Sequence, residues 1–68
     1  MLGISFNIEG IGYVEARYHR KELHEVKSLA GKVFHRPEII SVCVFDETGK
    51  VPLYLKKTEN GVYREERK

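Results

Sequence analysis

The sequence has one cysteine, no tryptophan and two prolines among its 68 residues. A lone Cys43 cannot close an internal disulfide. Flanked by Val42, Val44 and Phe45, it reads as a small buried hydrophobe in a reducing compartment. No apolar run approaches the roughly 20 residues that span a bilayer, and Met1-Leu2-Gly3-Ile4 lacks the basic and long apolar segments of a signal peptide. These absences predict a cytoplasmic location. Excess charge is also lacking: a net +2 is too small to imply a polyanionic partner. It is unevenly placed, however. Between Arg17 and Arg36 six basic residues (Arg17, Arg20, Lys21, Lys27, Lys32, Arg36) stand against only Glu22 and Glu25.

Repeats, low-complexity tracts and linkers are missing too, so residues 1–68 are expected to form one domain, with 65–68 a solvated, frayed tail. A chain this short buries only about 60% of the surface its unfolded form exposes. Such scaffolds commonly gain stability from disulfides, a metal or association with another chain.

What is present is periodicity. Ile4, Phe6 and Ile8 alternate with Ser5 and Asn7, the signature of a strand with one buried face. After Glu9-Gly10, the alternation of Val14, Ala16 and Tyr18 predicts a second strand folding back as a hairpin. From about Arg20 to His35 the apolar positions become Leu23, Val26, Ala30, Val33 and Phe34, the stripe of one amphipathic helix. No good N-cap residue precedes it, Gly31 is a weak point within it, and Pro37 ends it. Ile39 to Phe45 is β-branched and apolar, as in a central strand. Asp46-Glu47-Thr48-Gly49 turns the chain into a strand from Lys50 to about Lys57, which Pro52 marks as an edge at that point. Asn60-Gly61 then predicts a hairpin returning through Val62, Tyr63 and Arg64. The expected fold is α+β, ββαβββ, an antiparallel sheet of four or five strands with one helix on one face.

One helix covers one face. The inner set is expected to be Ile4, Phe6, Ile8, Val14, Ala16, Ile40, Val42, Val44, Leu53 and Leu55. The reverse face then carries Tyr13, Glu15, Arg17, Ile39, Cys43, Phe45, Tyr54 and Lys56. Uncovered aromatic side chains forgo about 1.5–3 kcal/mol each. The face is therefore expected to bind another protein or a second copy of the chain as a homodimer. Tyr13, Phe45 and Tyr54 serve as central anchors on a face that also carries Ile39 and Cys43, and Arg17 and Lys56 form the rim. A free sheet edge offers a separate route to association.

Catalytic motifs are not found around Cys43, the serines or the threonines, so a non-enzymatic role without cofactor is expected. His24 and His35 stand about 16 Å apart on a helix and cannot share one ion, so no metal site is expected. The alternative partner is nucleic acid, held weakly by a basic helix face including Arg20, Lys21, Lys27 and Lys32. Glu22 and Glu25 dilute that face.

The helix and the segment Arg36-Pro37-Glu38-Ile39-Ile40-Ser41-Val42-Cys43-Val44-Phe45-Asp46-Glu47-Thr48-Gly49 resemble small uncharacterised accessory proteins of bacteriophages. In these an amphipathic helix, a proline, a valine-rich strand and an aspartate-glycine turn follow in order. The resemblance spans about half the chain. It implies an accessory protein or inhibitor that binds and modulates a host or defence protein, or one that holds a small anion through Arg17, Arg20 or Lys56.

Overall fold

In the computed structural model, which describes residues 1–67, the first alternating segment forms β1, Leu2–Ile8. It pairs antiparallel with β2, Gly12–Tyr18, across the turn Glu9-Gly10-Ile11. The Ile11 N–H donates to the Ile8 carbonyl at 3.1 Å, and Gly12 leaves the turn at φ 103, a conformation that favours glycine. The helix α1 is Leu23–Phe34, shorter than its periodicity suggests, so Arg20 and Lys21 lie in the connection before it. Glu22 takes the N-cap position, and the Glu25 carboxylate accepts its N–H at 3.3 Å. Gly31 does not interrupt the helix. At the far end Lys57 donates to the Arg36 carbonyl at 2.7 Å, with its ammonium 5.1 Å from the centre of the Phe34 ring.

The next strand, β3 (Ile39–Asp46), returns beside β1 and not beside β2. The helix thus carries the chain over β1, the crossover that two parallel strands require. β4, Leu53–Thr58, and β5, Gly61–Glu66, complete an antiparallel five-stranded sheet in the order β2-β1-β3-β4-β5. The α+β architecture is as expected. The Asp46 side chain fixes the β3–β4 turn by accepting from the Thr48 hydroxyl at 2.6 Å and from the Thr48 and Lys50 N–H groups. The Thr48 bond, foremost, lowers its pKa.

Helix and sheet meet over a core of Ile4, Val26, Ala30, Phe34, Ile39, Val42, Val44, Leu53 and Leu55. Several assignments differ from the alternation: Ile40, expected in the core, is neither part of it nor packed against it. Ile39, expected on the reverse face, is 4% exposed within the core, because a register shift between Asn7 and Ile8 pairs it with Ile8 on the inner side. Val14, expected in the core, is 39% exposed. The helix lies on β3 and β1, so β2 extends beyond its cover.

Three further differences concern the C-terminal half. Pro52 directly precedes β4, which is interior, and its carbonyl accepts the Arg67 N–H at 2.8 Å. The β4–β5 turn is Glu59-Asn60, since Gly61 already pairs with Thr58. Of the tail expected to fray, Glu65 and Glu66 are instead part of the sheet: β5 runs to Glu66, whose carboxylate accepts from Lys27 Nζ at 2.9 Å. Lys68 lies outside the described residues. Among those described, no helix is long and apolar enough to cross a membrane.

The Lys27 bond first, then Arg64, hold the Glu66 carboxyl at about 2, down from 4.5. A carboxylate with a depressed folded-state pKa contributes stability that is present above its unfolded pKa and lost as pH falls through the folded one. This contribution is therefore expected to disappear between about pH 4.5 and 2. It is small, because Glu66 is 37% exposed and solvent screens the pair. In Lys27→Ala, an NMR titration of Glu66 should show its pKa moving up toward 4.5; an unchanged titration would mean that the helix and β5 are not joined there.

Candidate protein-binding surface

The side of the sheet away from α1 is ordered by its registers into cross-strand rows. One row reads Glu15, Ser5, Cys43, Tyr54 and Glu65; the next reads Tyr13, Asn7, Ser41, Lys56 and Tyr63. Small side chains occupy β1 and β3 in both. Large ones stand on β2 and on β4 and β5. The outer face is therefore a shallow trough with a floor of Ser5, Asn7, Ser41 and Cys43. Adjacent strands lie about 4.8 Å apart, which sets β2 and β4 roughly 14 Å from each other.

One wall is Tyr13, 76% exposed, followed along β2 by Glu15 and Arg17. Arg17 Nε donates to Glu15 Oε2 at 2.6 Å. The opposite wall is an aromatic pair, Tyr54 and Tyr63, with ring centres 6.0 Å apart and planes at 62°. Edge-to-face pairs of this kind favour fixed ring positions. The Tyr63 hydroxyl donates to Glu65 Oε2 at 2.8 Å, which raises the Tyr63 pKa. Lys56 stands beside them on β4.

Phe45 closes one end of the trough. Its ring lies over Gly3, so close that a Cβ there would overlap Cζ and stand 2.6 Å from Cε2. Phe45 is thus partly covered by its own chain and is less available as an anchor than its place in the sequence suggests. Cys43 is half-buried in the floor, where burial raises the thiol pKa and so disfavours the nucleophilic thiolate.

Of the residues expected on this surface, Tyr13, Arg17, Cys43, Phe45, Tyr54 and Lys56 share the outer face; Ile39 does not. Tyr63 joins this face because the β4–β5 register sets it opposite Lys56, a pairing that the sequence of the strand alone does not disclose. The cations suggested for a small anion do not converge. Arg17 is bonded to Glu15, Lys56 lies three strands away, and Arg20 follows β2 in a connection.

The basic helix face is also weaker than the helical wheel implies. Lys27 is engaged by Glu66, Lys21 sits 5.9 Å from the Tyr18 ring centre, and Arg20 and Lys21 are not helical. Lys32 instead borders an apolar groove of about 530 Å³ between α1 and the β1–β2 hairpin, lined by Phe6, Ile8, Ile11, Val33 and Ile39. Ile11 is 74% exposed there. Only the position of the helix reveals this groove. The one potential metal-binding group among the described residues is Glu22, His24 and Glu25, whose ligand atoms lie within 4.8 Å of one another. All three are exposed, and Glu25 already accepts the Glu22 N–H.

The fold and its trough define an open-sheet α+β domain with one bare face. Comparison with protein-family models, curated proteins and solved structures finds no match.

Proposed function

We propose that this chain is a non-catalytic cytoplasmic module that binds another protein in the outer trough. The observation that carries this reading is the trough itself: a small, polar floor between aromatic walls, with Arg17 and Lys56 balanced by Glu15 and Glu65. The Ser5 and Asn7 side chains offer donors and acceptors to a polypeptide, Ser41 being buried beside them at 7% exposed, while tyrosines supply contact area at low entropic cost. A helix about 10–12 Å across, or an extended segment, matches the spacing of the walls.

The charge balance weighs against nucleic acid, since single-strand platforms set their stacking rings in a positive groove. The engagement of Lys27 weakens the helix face for the same role. On the resemblance to bacteriophage accessory proteins, the bound protein would be a host or defence factor and this module its inhibitor.

The test is affinity capture with the immobilised chain, comparing wild type with the Tyr54→Ala, Tyr63→Ala double variant. A protein partner should be retained after nuclease treatment and lose about tenfold or more in affinity in the variant, as expected for paired tyrosine anchors. Random-sequence DNA and RNA should not bind even at low salt. Capture that survives the double variant, or that vanishes with nuclease, would overturn the reading.

A further inference from the structure

The sheet has two edges, and they are not equally protected. On β5 the side chains turned toward the helix side include Arg64, opposite Leu55, and Glu66, opposite Leu53. Inward-pointing charges are a means by which proteins blunt an edge against pairing. On β2 the inward side chains are Val14, Ala16 and Tyr18, opposite Phe6, Ile4 and Leu2. Both charges of β2, Glu15 and Arg17, point outward, its register against β1 is unbroken, and it has no proline. It is a regular seven-residue edge without those safeguards.

We infer that β2 pairs antiparallel with β2 of a second copy of this chain, about a two-fold axis at Ala16. In a continuous sheet, residues directly opposite each other point to the same face, so a two-fold perpendicular to the sheet must pass beside a single residue. Centring on Glu15 sets Glu15 against itself, and centring on Arg17 sets Arg17 against itself; like charges directly opposite are destabilising. Centring on Val14 leaves Tyr18 beyond the paired segment. Centring on Ala16 places Glu15 opposite Arg17 of the partner subunit, and Arg17 opposite the partner's Glu15. On the inner side, each exposed Val14 faces the partner's Tyr18, an aromatic against a β-branched residue.

The product is a ten-stranded sheet with both helices on one side and the two troughs joined on the other. The pairing uses the backbone edge of β2 and does not depend on what the trough binds.

Sedimentation equilibrium provides the test. The wild-type chain should dimerise. Glu15→Lys and Arg17→Glu should each raise the dimer dissociation constant by about tenfold or more, because attraction becomes repulsion at both symmetry-related positions. Mixing the two variants should restore association as a heterodimer. The lysine introduced in one chain then faces the glutamate introduced in the other, and the two unaltered residues, Arg17 and Glu15, still face each other. The heterodimer also shows that each variant is folded. Tyr54→Ala with Tyr63→Ala should dimerise like wild type, which separates this edge from the trough. A monomeric wild type, or a dimer indifferent to either charge reversal, would overturn the inference.

Discussion

Ile4→Ala is expected to remove most of the stability of this domain. Ile4 is 1% exposed, lies between Ala16 and Val44 in the sheet and packs into the core beneath the helix. Truncating a buried isoleucine to alanine costs about 2–5 kcal/mol. A domain of 68 residues has on the order of 3–10 kcal/mol in all, at roughly 0.05–0.15 kcal/mol per residue. The loss is therefore comparable to the whole. Urea denaturation followed by circular dichroism should show a sharply lower midpoint, or no folded baseline. The neighbouring Ser5→Ala, on the opposite face, should stay within about 0.5 kcal/mol of wild type. Equal effects at the two positions would contradict the assignment of faces in β1.

That contrast between adjacent residues shows what the sequence makes legible. Ile4, Phe6 and Ile8 disclose their common face because a strand repeats every two residues, and Val26, Ala30 and Phe34 disclose theirs through the helical repeat. Both are local properties. The misassigned residues depend on other parts of the chain. Ile39 moves to the core because the irregularity opposite Asn7 and Ile8 changes the phase of its pairing. Val14 has the correct alternation, yet the helix over β3 and β1 does not extend to it. Lys27 looks solvated on a helical wheel, and Glu66 looks solvated at the end of the sequence, until β5 brings them together.

The candidate trough divides in the same way. Tyr13, Arg17, Cys43, Phe45, Tyr54 and Lys56 follow from strand parity alone, whereas the pairing of Tyr54 with Tyr63 requires the β4–β5 register. In the same way the contact of Phe45 with Gly3 requires the β1–β3 register, which sets the two residues opposite each other although they are far apart in the chain. A glycine in a strand ordinarily weakens it by about 0.5–1 kcal/mol relative to alanine. Here its missing Cβ gives the ring a place to lie, a cross-strand arrangement in which an aromatic side chain compensates for the glycine.

This contact makes the sign of one substitution depend on a residue in another strand. Gly3→Ala should destabilise the wild-type chain by about 1–3 kcal/mol, the usual cost of forcing added volume into an occupied position. The new Cβ would overlap Phe45 Cζ and lie 2.6 Å from Cε2, so the ring must swing off the sheet and surrender its cover. In a Phe45→Ala background that obstacle is gone, and Gly3→Ala should become neutral or stabilising by up to about 1 kcal/mol through the strand preference for alanine over glycine. A double-mutant cycle measured by urea denaturation reads the reversal directly. If Gly3→Ala is equally costly in both backgrounds, the ring does not rest on Gly3 in solution. Phe45 would then stand free at the end of the trough, as available to a partner as Tyr13.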